Sequence, residues 1–299
     1  MPDTIALGTF TPSVLLRVAR RTGRLAAAGL EVAESPVPSS PAQFAALLDG
    51  SLDAVLTSPD NVLAYRYSPA NPLGRTADVR ILAAIDRGMG LGLYSRHSPA
   101  ELAGATFAVD VPDSGFAFAM YALAGSLGLD RQDYRVVALG STPKRLAALL
   151  AGECAATMLN AGNELHAEQA GHRALARVSE VCRPYLGTVL ATTRPTAAAE
   201  RLAHALTATA KAIGPGGRDG GDDLDAVVLE EAQIALGLGM PLALRYLHRL
   251  RSPSEGLVPD GVTDRASLAV LVGLRRRYGP ALRGDPLAAA LDPADGLLG

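Results

Sequence analysis

The sequence has little of what an aromatic-rich, disulfide-linked or metal-binding protein needs. Tryptophan is absent, aromatic residues make up 4% of the 299 residues, and the only cysteines are Cys154 and Cys182. Two cysteines form neither a disulfide framework nor a four-thiolate metal site. Cys154 lies in an apolar run, which is typical of a buried and unreactive thiol. The core is therefore expected to consist mainly of alanine, leucine and valine.

An excess of one charge sign is also lacking. Lysine and arginine number 28 and aspartate and glutamate 30, which gives a formal net charge of −2. Proteins that bind nucleic acid or anionic membranes carry a basic surface, and this balance does not predict one. No segment reaches the ~18 consecutive apolar residues of a membrane-spanning helix. We therefore predict no nucleic-acid partner and no insertion into a membrane.

The first residues show no targeting signal. Residues 1–5 contain neither a basic stretch followed by an apolar one nor a cysteine for lipid attachment. The expected location is therefore the cytoplasm, or the periplasm if an export signal has been removed.

The histidines, serines and glycines form no recognisable catalytic or cofactor motif. His166 and His172 are six residues apart, a spacing that does not place them on one helical face, and no histidine stands beside a serine or cysteine in a nucleophile motif. Metal-ligand spacings and phosphate-binding glycine loops are also missing. The sequence thus predicts no catalytic residue, no metal and no cofactor.

An internal repeat organises the first two thirds of the chain. SPAQFAALLDGSLDAVL at 40–56 resembles TPKRLAALLAGECAATM at 142–158, and TIALG at 4–8 matches TFAVD at 106–110 at the same offset without a gap. Each copy predicts strand–helix–strand–helix–strand, in which Ser40 or Thr142 caps the second helix before a proline and a glycine ends it. The repeat therefore predicts an α/β protein of two lobes, each with a parallel sheet.

Two further strand-like runs, at 79–93 and 185–193, are predicted to cross between the lobes and to form a hinge. Lobe 1 is predicted to comprise residues 1–86 and 190–299, and lobe 2 residues 87–189. Helices are expected in the last third of the chain, with a flexible loop at 214–221. Arg275 to Arg277 is interpreted as a solvent-exposed basic run at a helix end.

The predicted cleft lies where strand ends and helix starts of both lobes face each other, which is where α/β proteins bind ligands. Hydroxyl and amide side chains are concentrated there, and they suit a polar or anionic small molecule. Arg87 is either a bidentate anion ligand or a solvent-exposed hinge residue. Ser40 is also explained as a helix cap, Ser114-Gly115 as a helix start, and Asn160 and Asn163 as turn residues, so the prediction depends on the convergence of these groups. The predicted ligand-binding residues are Thr9, Phe10, Thr11, Ser13, Ser39, Ser40, Ser58, Asp60, Asn61, Arg87, Asp113, Ser114, Gly115, Ser141, Asn160 and Asn163.

Several segments resemble the substrate-binding proteins of sulfonate, nitrate and taurine transporters and their relatives in thiamine-pyrimidine synthesis. They are GTFTPSVLLRVARRTGRLAAAGLEV, ALLDGSLDAVLTSPDN, SPAELAGATFAV, LGLDRQDYRVVALGS and ALLAGECAATML. The resemblance implies a periplasmic-binding-protein type II fold, with ligand contacts near Thr11 and Ser13, at 58–61, at Ser114 and at Asn160. The thiamine branch uses a reactive Lys/His pair near the third strand and a cysteine cluster, and residues 58–61 supply neither.

Three functions are compatible with these features. The first is a solute-binding protein of the ABC-transporter type that closes on a small molecule, with an ABC permease as a candidate partner. The second is a cytoplasmic biosynthetic enzyme on the same fold, as in thiamine-pyrimidine synthesis or in the menaquinone-pathway lyases, which the chain also resembles. The third is a cytoplasmic ligand sensor or carrier. Because no catalytic motif is present, binding without chemistry is favoured.

Overall fold

Two five-stranded sheets, each flanked by helices, form the two lobes of this α/β protein. The structure is a computed structural model that describes residues 1–214, 221–290, 292 and 295–298. The first sheet contains β1 (Asp3–Thr9), β2 (Leu30–Pro36), β3 (Ala54–Thr57), β4 (Arg80–Asp86) and β10 (Thr188–Thr192), in the spatial order β2-β1-β3-β10-β4. The second contains β5 (Gly92–Ser95), β6 (Thr106–Val109), β7 (Arg135–Ala138), β8 (Ala156–Leu159) and β9 (Arg173–Arg177), in the order β7-β6-β8-β5-β9.

Two helices in each lobe follow the first and second strands of the repeat as predicted, and further helices are present both within the lobes and after β10. The first lobe begins with α1 (Val14–Arg21), α2 (Arg24–Ala27), α3 (Ser40–Asp49) and α4 (Pro59–Tyr67). The second sheet is accompanied by α5 (Gly115–Ser126), α6 (Thr142–Ala151), α7 (Asn163–Gln169) and α8 (Val178–Val181). The last third of the chain contains α9 (Ala197–Ile213), α10 (Gly221–Leu236), α11 (Met240–Leu250), α12 (Arg265–Tyr278) and α13 (Pro286–Ala289).

The internal repeat is reproduced in three dimensions. Strands β2-β1-β3 and β7-β6-β8 are parallel and have the same order. Helices α3 and α6 have the same length and end at glycines in the left-handed conformation, Gly50 and Gly152. The strand registers differ, because Leu7 lies opposite Ala54 whereas Phe107 lies opposite Ala156, two residues from the repeat offset. A shift of two preserves the alternation of side chains, so the same positions still face the core.

Both sheets are mixed, because each contains an antiparallel strand from outside its repeat. β10 pairs with β3 and β4, and β5 pairs with β8 and β9. The runs at 79–93 and 185–193 therefore supply strands to the sheets and cross between them. The two crossings touch: a Cβ on Gly187 would lie 2.5 Å from the backbone of Gly88, so only glycine fits there. The predicted lobe boundary at 189/190 falls inside β10, which belongs to the first sheet.

Some local predictions were wrong by one residue or one element. Ser39, rather than Ser40, caps α3, and its side chain accepts a hydrogen bond from the Ala42 N–H at 3.3 Å. Ser141, rather than Thr142, precedes α6. Proline is tolerated throughout the first turn, where N–H groups lack helical partners, so it does not distinguish adjacent cap positions. Helix α4 was not predicted at all.

The other sequence expectations concern length and composition. Among the described residues, no single helix is long and apolar enough to cross a membrane; the bent pair Asp223–Leu236 and Met240–Leu250 reaches that length and composition only together. Most of the loop predicted at 214–221 lies outside the described residues.

Candidate functional site

A cavity of about 130 Å³ lies between the lobes, at the carboxyl ends of the parallel strands. It is bounded by the residues after β1, β3 and β4 in the first lobe, by those after β6 and β8 in the second, and by α11. Most of the lining is apolar, and single polar groups interrupt it. Such a mixture is typical of cavities that hold small organic molecules.

More than half of the predicted ligand-binding residues line this cavity. Their convergence had been expected from the repeat, because equivalent loops of two similar units face each other. These lining residues are Thr9, Phe10, Thr11, Ser13, Ser58, Asn61, Ser114, Gly115 and Asn160.

Several of these polar groups also hold the local backbone. The Ser114 hydroxyl accepts from the Ala117 N–H at 3.3 Å and so caps α5. Asn61 donates its amide to the Thr57 hydroxyl at 3.0 Å. These residues therefore stabilise the local structure and also line the cavity.

Other predicted residues join the lobes without lining the cavity. Asn163 donates its side-chain amide to the hydroxyl of Thr11 at 3.2 Å. The backbone N–H of Ser40 donates to Oδ2 of Asp110 at 3.1 Å, and that of Ser141 donates to the Pro38 carbonyl at 3.0 Å. These bonds connect the two lobes, so the structure describes their closed arrangement. Ser39 does not line the cavity, and its side chain caps α3.

The predicted charged residues are engaged elsewhere. Arg87 forms an ion pair with Asp264 at 3.5 Å and does not line the cavity. Asp60 is buried and accepts two hydrogen bonds from Arg275, at 2.7 and 2.6 Å. The carbonyl of Asp113 accepts a further bond from Arg275 at 3.4 Å. Arg275 is 2% exposed, so its interpretation as part of a solvent-exposed run was wrong.

Arg145, on α6, is a lining residue that the sequence did not reveal. It is 2% exposed and donates to the carbonyls of Gly140 and Met158 and to the Thr142 hydroxyl. Burial lowers the pKa of this guanidinium to about 10, although the nearby charge of Asp110 opposes that shift. The sequence TPKRLAALL gave no sign that the helix start is buried between the lobes.

Asp86, the last residue of β4, is a second unexpected lining residue. Its side chain is buried, and Oδ1 accepts from the Gly88 N–H at 2.8 Å. Burial raises the pKa of this carboxyl to about 6, against the opposing effect of hydrogen bonds from Thr188 and Gly88. The sequence signal for it is a carboxylate at the end of a buried strand, whereas the sequence prediction names the neighbouring Arg87.

Backbone strain is concentrated at the same place. Among the described residues, Met89 and Ala161 are the non-glycine residues with positive φ, at +50° and +54°. Both line the cavity, and the Ala161 N–H donates to the Met89 carbonyl at 3.0 Å. Side chains disfavour this conformation, and it is enriched at binding sites.

The described part of the chain offers neither a metal site nor a reactive thiol. No group of three or more His, Cys, Asp or Glu residues within it is placed to hold a metal ion. Cys154 and Cys182 are both buried, and burial raises the pKa of each thiol to about 11. Both thiols are therefore protonated and unreactive at neutral pH.

Comparison with known proteins identifies the fold. No family model matches the sequence, and no curated protein matches it. The structure of the alkanesulfonate-binding protein SsuA from Xanthomonas axonopodis pv. citri, bound to MOPS, has a TM-score of 0.68 and 17% identity, over 100% of this chain and 95% of that one. A Candida albicans protein described as having the generic periplasmic-binding-protein fold has a TM-score of 0.72 and 11% identity, over 99% of this chain and 96% of that one.

The structure of this chain is also similar to that of an enzyme. A mutant of DSZB in complex with biphenyl-2-sulfinic acid has a TM-score of 0.59 and 16% identity, over 93% of this chain and 92% of that one; DSZB is described as a desulfurization enzyme. The predicted α/β architecture and the resemblance to sulfonate-binding proteins are thus confirmed at the level of the fold, which is that of the type II periplasmic binding proteins.

Proposed function

We propose that this chain, which has the fold of periplasmic binding proteins, binds a small organic molecule between its lobes and closes over it. The observation that carries the proposal is the cavity, because residues of both lobes line it. A ligand there contacts both lobes only when they are closed and therefore favours the closed arrangement. The mainly apolar lining with a few polar groups also supports an organic ligand over an inorganic ion.

The lobe–lobe bonds beside the cavity support a reversible closure. The Asn163–Thr11 and Ser40–Asp110 contacts are single hydrogen bonds between polar groups. On opening, water replaces the lost partner, so each such bond contributes only about 1–3 kcal/mol, with the upper end for the bond to the Asp110 carboxylate. The hydrogen bonds beside the cavity therefore favour the closed arrangement only weakly, and a bound ligand would shift the equilibrium between open and closed lobes.

A thermal-shift screen followed by calorimetry would test the binding role. The panel contains small sulfonates, carboxylates, amines, pyrimidines and aromatic acids. A ligand at a hundredfold its dissociation constant adds about 2.7 kcal/mol to the free energy of unfolding, which a melting curve detects.

Two variants locate the site. Ser114→Trp would fill the cavity and Asn160→Ala would remove a polar lining group, so we expect both to weaken binding. Ser126→Trp, at the exposed far end of the same helix α5, is the matched control and should bind normally. Unchanged affinity in both Ser114→Trp and Asn160→Ala would place the ligand elsewhere.

A transport role is the finer part of this proposal. SsuA and a ligand-binding component of an ABC-type import system from Staphylococcus aureus share the fold, and they support a role in delivering a solute to an ABC permease. Stimulation of the ATPase of a candidate permease by the liganded chain, and not by Ser114→Trp, would support that role. If the liganded chain does not stimulate the ATPase, the transport role is contradicted while the binding role stands.

An enzyme is the second candidate function, and Asp86 is the observation that favours it. A cavity carboxyl with a pKa near 6 exchanges a proton readily at neutral pH, and DSZB shows that the fold also supports catalysis. Mass spectrometry of each screening hit after incubation distinguishes the two. An unchanged hit supports binding, whereas a product that Asp86→Asn no longer makes would establish the enzyme.

A further inference from the structure

Asp86 is a buried charge in the cavity wall, and no oppositely charged partner for it is found among the described residues. It is 7% exposed, and its carboxyl accepts a hydrogen bond from the Gly88 N–H at 2.8 Å. The neutral hydroxyl of Thr188 also lies close enough to lower the pKa of this carboxyl. Within the described part of the chain, no lysine, arginine or histidine contributes to the shift of its pKa or forms an ion pair with it. A buried charge without a partner is costly, and proteins retain such groups mainly at functional sites.

The other charged lining groups differ in this respect. Asp110 and Arg145 are close enough for their opposite charges to attract, although no ion pair within 4.0 Å joins them and Oδ1 of Asp110 and Nε of Arg145 have no hydrogen-bond partner in the described chain. The terminal nitrogens of Arg145 donate to protein oxygens, including the Thr142 hydroxyl at 3.1 Å and the Met158 carbonyl at 3.2 Å. Arg87, the predicted anion ligand, is paired with Asp264 instead. Among the described residues, the cavity is thus lined by two carboxylates and one guanidinium, so its excess charge is negative.

Apolar residues lie near Asp86 in the cavity lining. Leu257 pairs with it through an isolated β-bridge, and Ile85 and Met89 flank it in sequence and line the same cavity. Burial raises the pKa of Tyr246 on α11, and the charges of Glu164 and Asp86 add to that shift, so Tyr246 lies near Asp86. This part of the cavity offers one negative charge beside an apolar surface.

We propose that Asp86 anchors a protonated amino group, so that the ligand is a small organic ammonium ion whose apolar body packs against Met89, Tyr246 and Leu257. The inference rests on the proposed function, because it takes the cavity as the ligand site. The ammonium group supplies the missing positive charge and donates to the carboxylate. A sulfonate or carboxylate of the same size would instead meet Asp86 as a like charge, which opposes binding.

The test is calorimetry at about pH 8, where a carboxyl with a pKa of about 6 is ionised. The probes are two matched series: hexylamine, hexanoate and hexanesulfonate, and benzylamine, benzoate and benzenesulfonate. We expect the amines to bind the wild-type chain more tightly than the anions of the same skeleton.

The matched variants are Asp86→Asn and Asp260→Asn. Asparagine keeps the shape of Asp86 and removes its charge, so amine affinity should fall by about tenfold or more. Asp260 lies on the exposed surface, and its variant should bind the amines as the wild type does. Melting curves of both variants establish that they are folded.

The outcomes separate this inference from the proposed function. If the anions bind and the amines do not, the ammonium ligand is wrong while the binding role stands. If the amines bind Asp86→Asn as tightly as wild type, Asp86 is not the anchor. If none of the probes, nor any compound of the screening panel, binds, both proposals fail.

Discussion

The buried carboxyl of Asp86 makes stability depend on pH. Its pKa in the folded chain is about 6, above the ordinary 3.8, because burial disfavours the charged form. Among the described residues, Tyr185 and Tyr246 lie close enough for the charge of Asp86 to add to the effect of burial in raising their pKa values. Between pH 3.8 and about 6, the folded state therefore binds a proton at Asp86 more tightly than the unfolded chain does. Stability from this group is present at low pH and is lost as the pH rises through about 6.

Asp86→Asn should remove this dependence. Because the amide cannot ionise, we expect the variant to be more stable than wild type at neutral pH, by at most about 3 kcal/mol for a two-unit shift. Urea unfolding at a series of pH values between about 4 and about 8 measures it. Asp260→Asn is the control. If both variants keep the wild-type slope over this window, Asp86 is not the titrating group.

Single residues were also the scale at which the sequence was least informative. The polar character of the loops placed Thr11, Ser13 and Asn160 in the cleft, because strand ends and helix starts are readable from periodicity and caps. It did not show that Asp86 rather than Arg87 faces the cavity. That choice depends on the register of β4 against β10, which contains two irregularities.

Helix α5 contains two glycines with opposite expected effects. A Cβ on Gly115, at its start, would lie 2.4 Å from the Cβ of Asp60 in the other lobe, whereas Gly125, near its end, is exposed and has nothing within 4 Å. Gly115→Ala should destabilise the chain by about 1–3 kcal/mol because it forces α4 and α5 apart. Gly125→Ala should stabilise it by about 0.5–1 kcal/mol through helix propensity.

Chemical unfolding of both variants tests this pair. A change of the same sign in both would contradict the close approach of α4 and α5. Because the two substitutions share one helix and one chemistry, the difference between them isolates the contact with Asp60.

Elements with strong local signals were predicted well. Helices α3 and α6 and the glycines after them follow from caps, apolar spacing and the repeat. Helix α4 was missed because Ser58-Pro59-Asp60 follows a strand and was interpreted as a loop only, although Ser58 accepts from the Asp60 N–H at 3.3 Å and caps a helix.

Across the whole molecule, α12 links the two lobes. Its Arg275 binds Asp60 of α4 with two hydrogen bonds and lies 4.9 Å from the ring centre of Phe118 in α5. These contacts join residues far apart in the sequence, so no local pattern predicted them. The repeat gave the architecture, but not the contacts that hold it closed.

Arg275→Ala should therefore loosen the closed arrangement. The substitution leaves Asp60 buried and unpaired, so the free energy of unfolding, measured by urea unfolding, should fall by about 3–5 kcal/mol. Small-angle X-ray scattering should also show a larger radius of gyration. Arg276 is adjacent and exposed, so Arg276→Ala should change neither the free energy of unfolding nor the radius of gyration. Equal effects of the two variants would mean that α12 does not link the lobes through Arg275.

The burial of both cysteines has a practical consequence for observing single molecules. Because Cys154 and Cys182 are inaccessible and protonated, maleimide dyes would react selectively with cysteines introduced at the surface. Asp49 and Ala151 are exposed and occupy equivalent ends of α3 and α6. Dyes at these two positions would report by energy transfer how far apart the lobes are, in a chain that retains every native residue around its cavity.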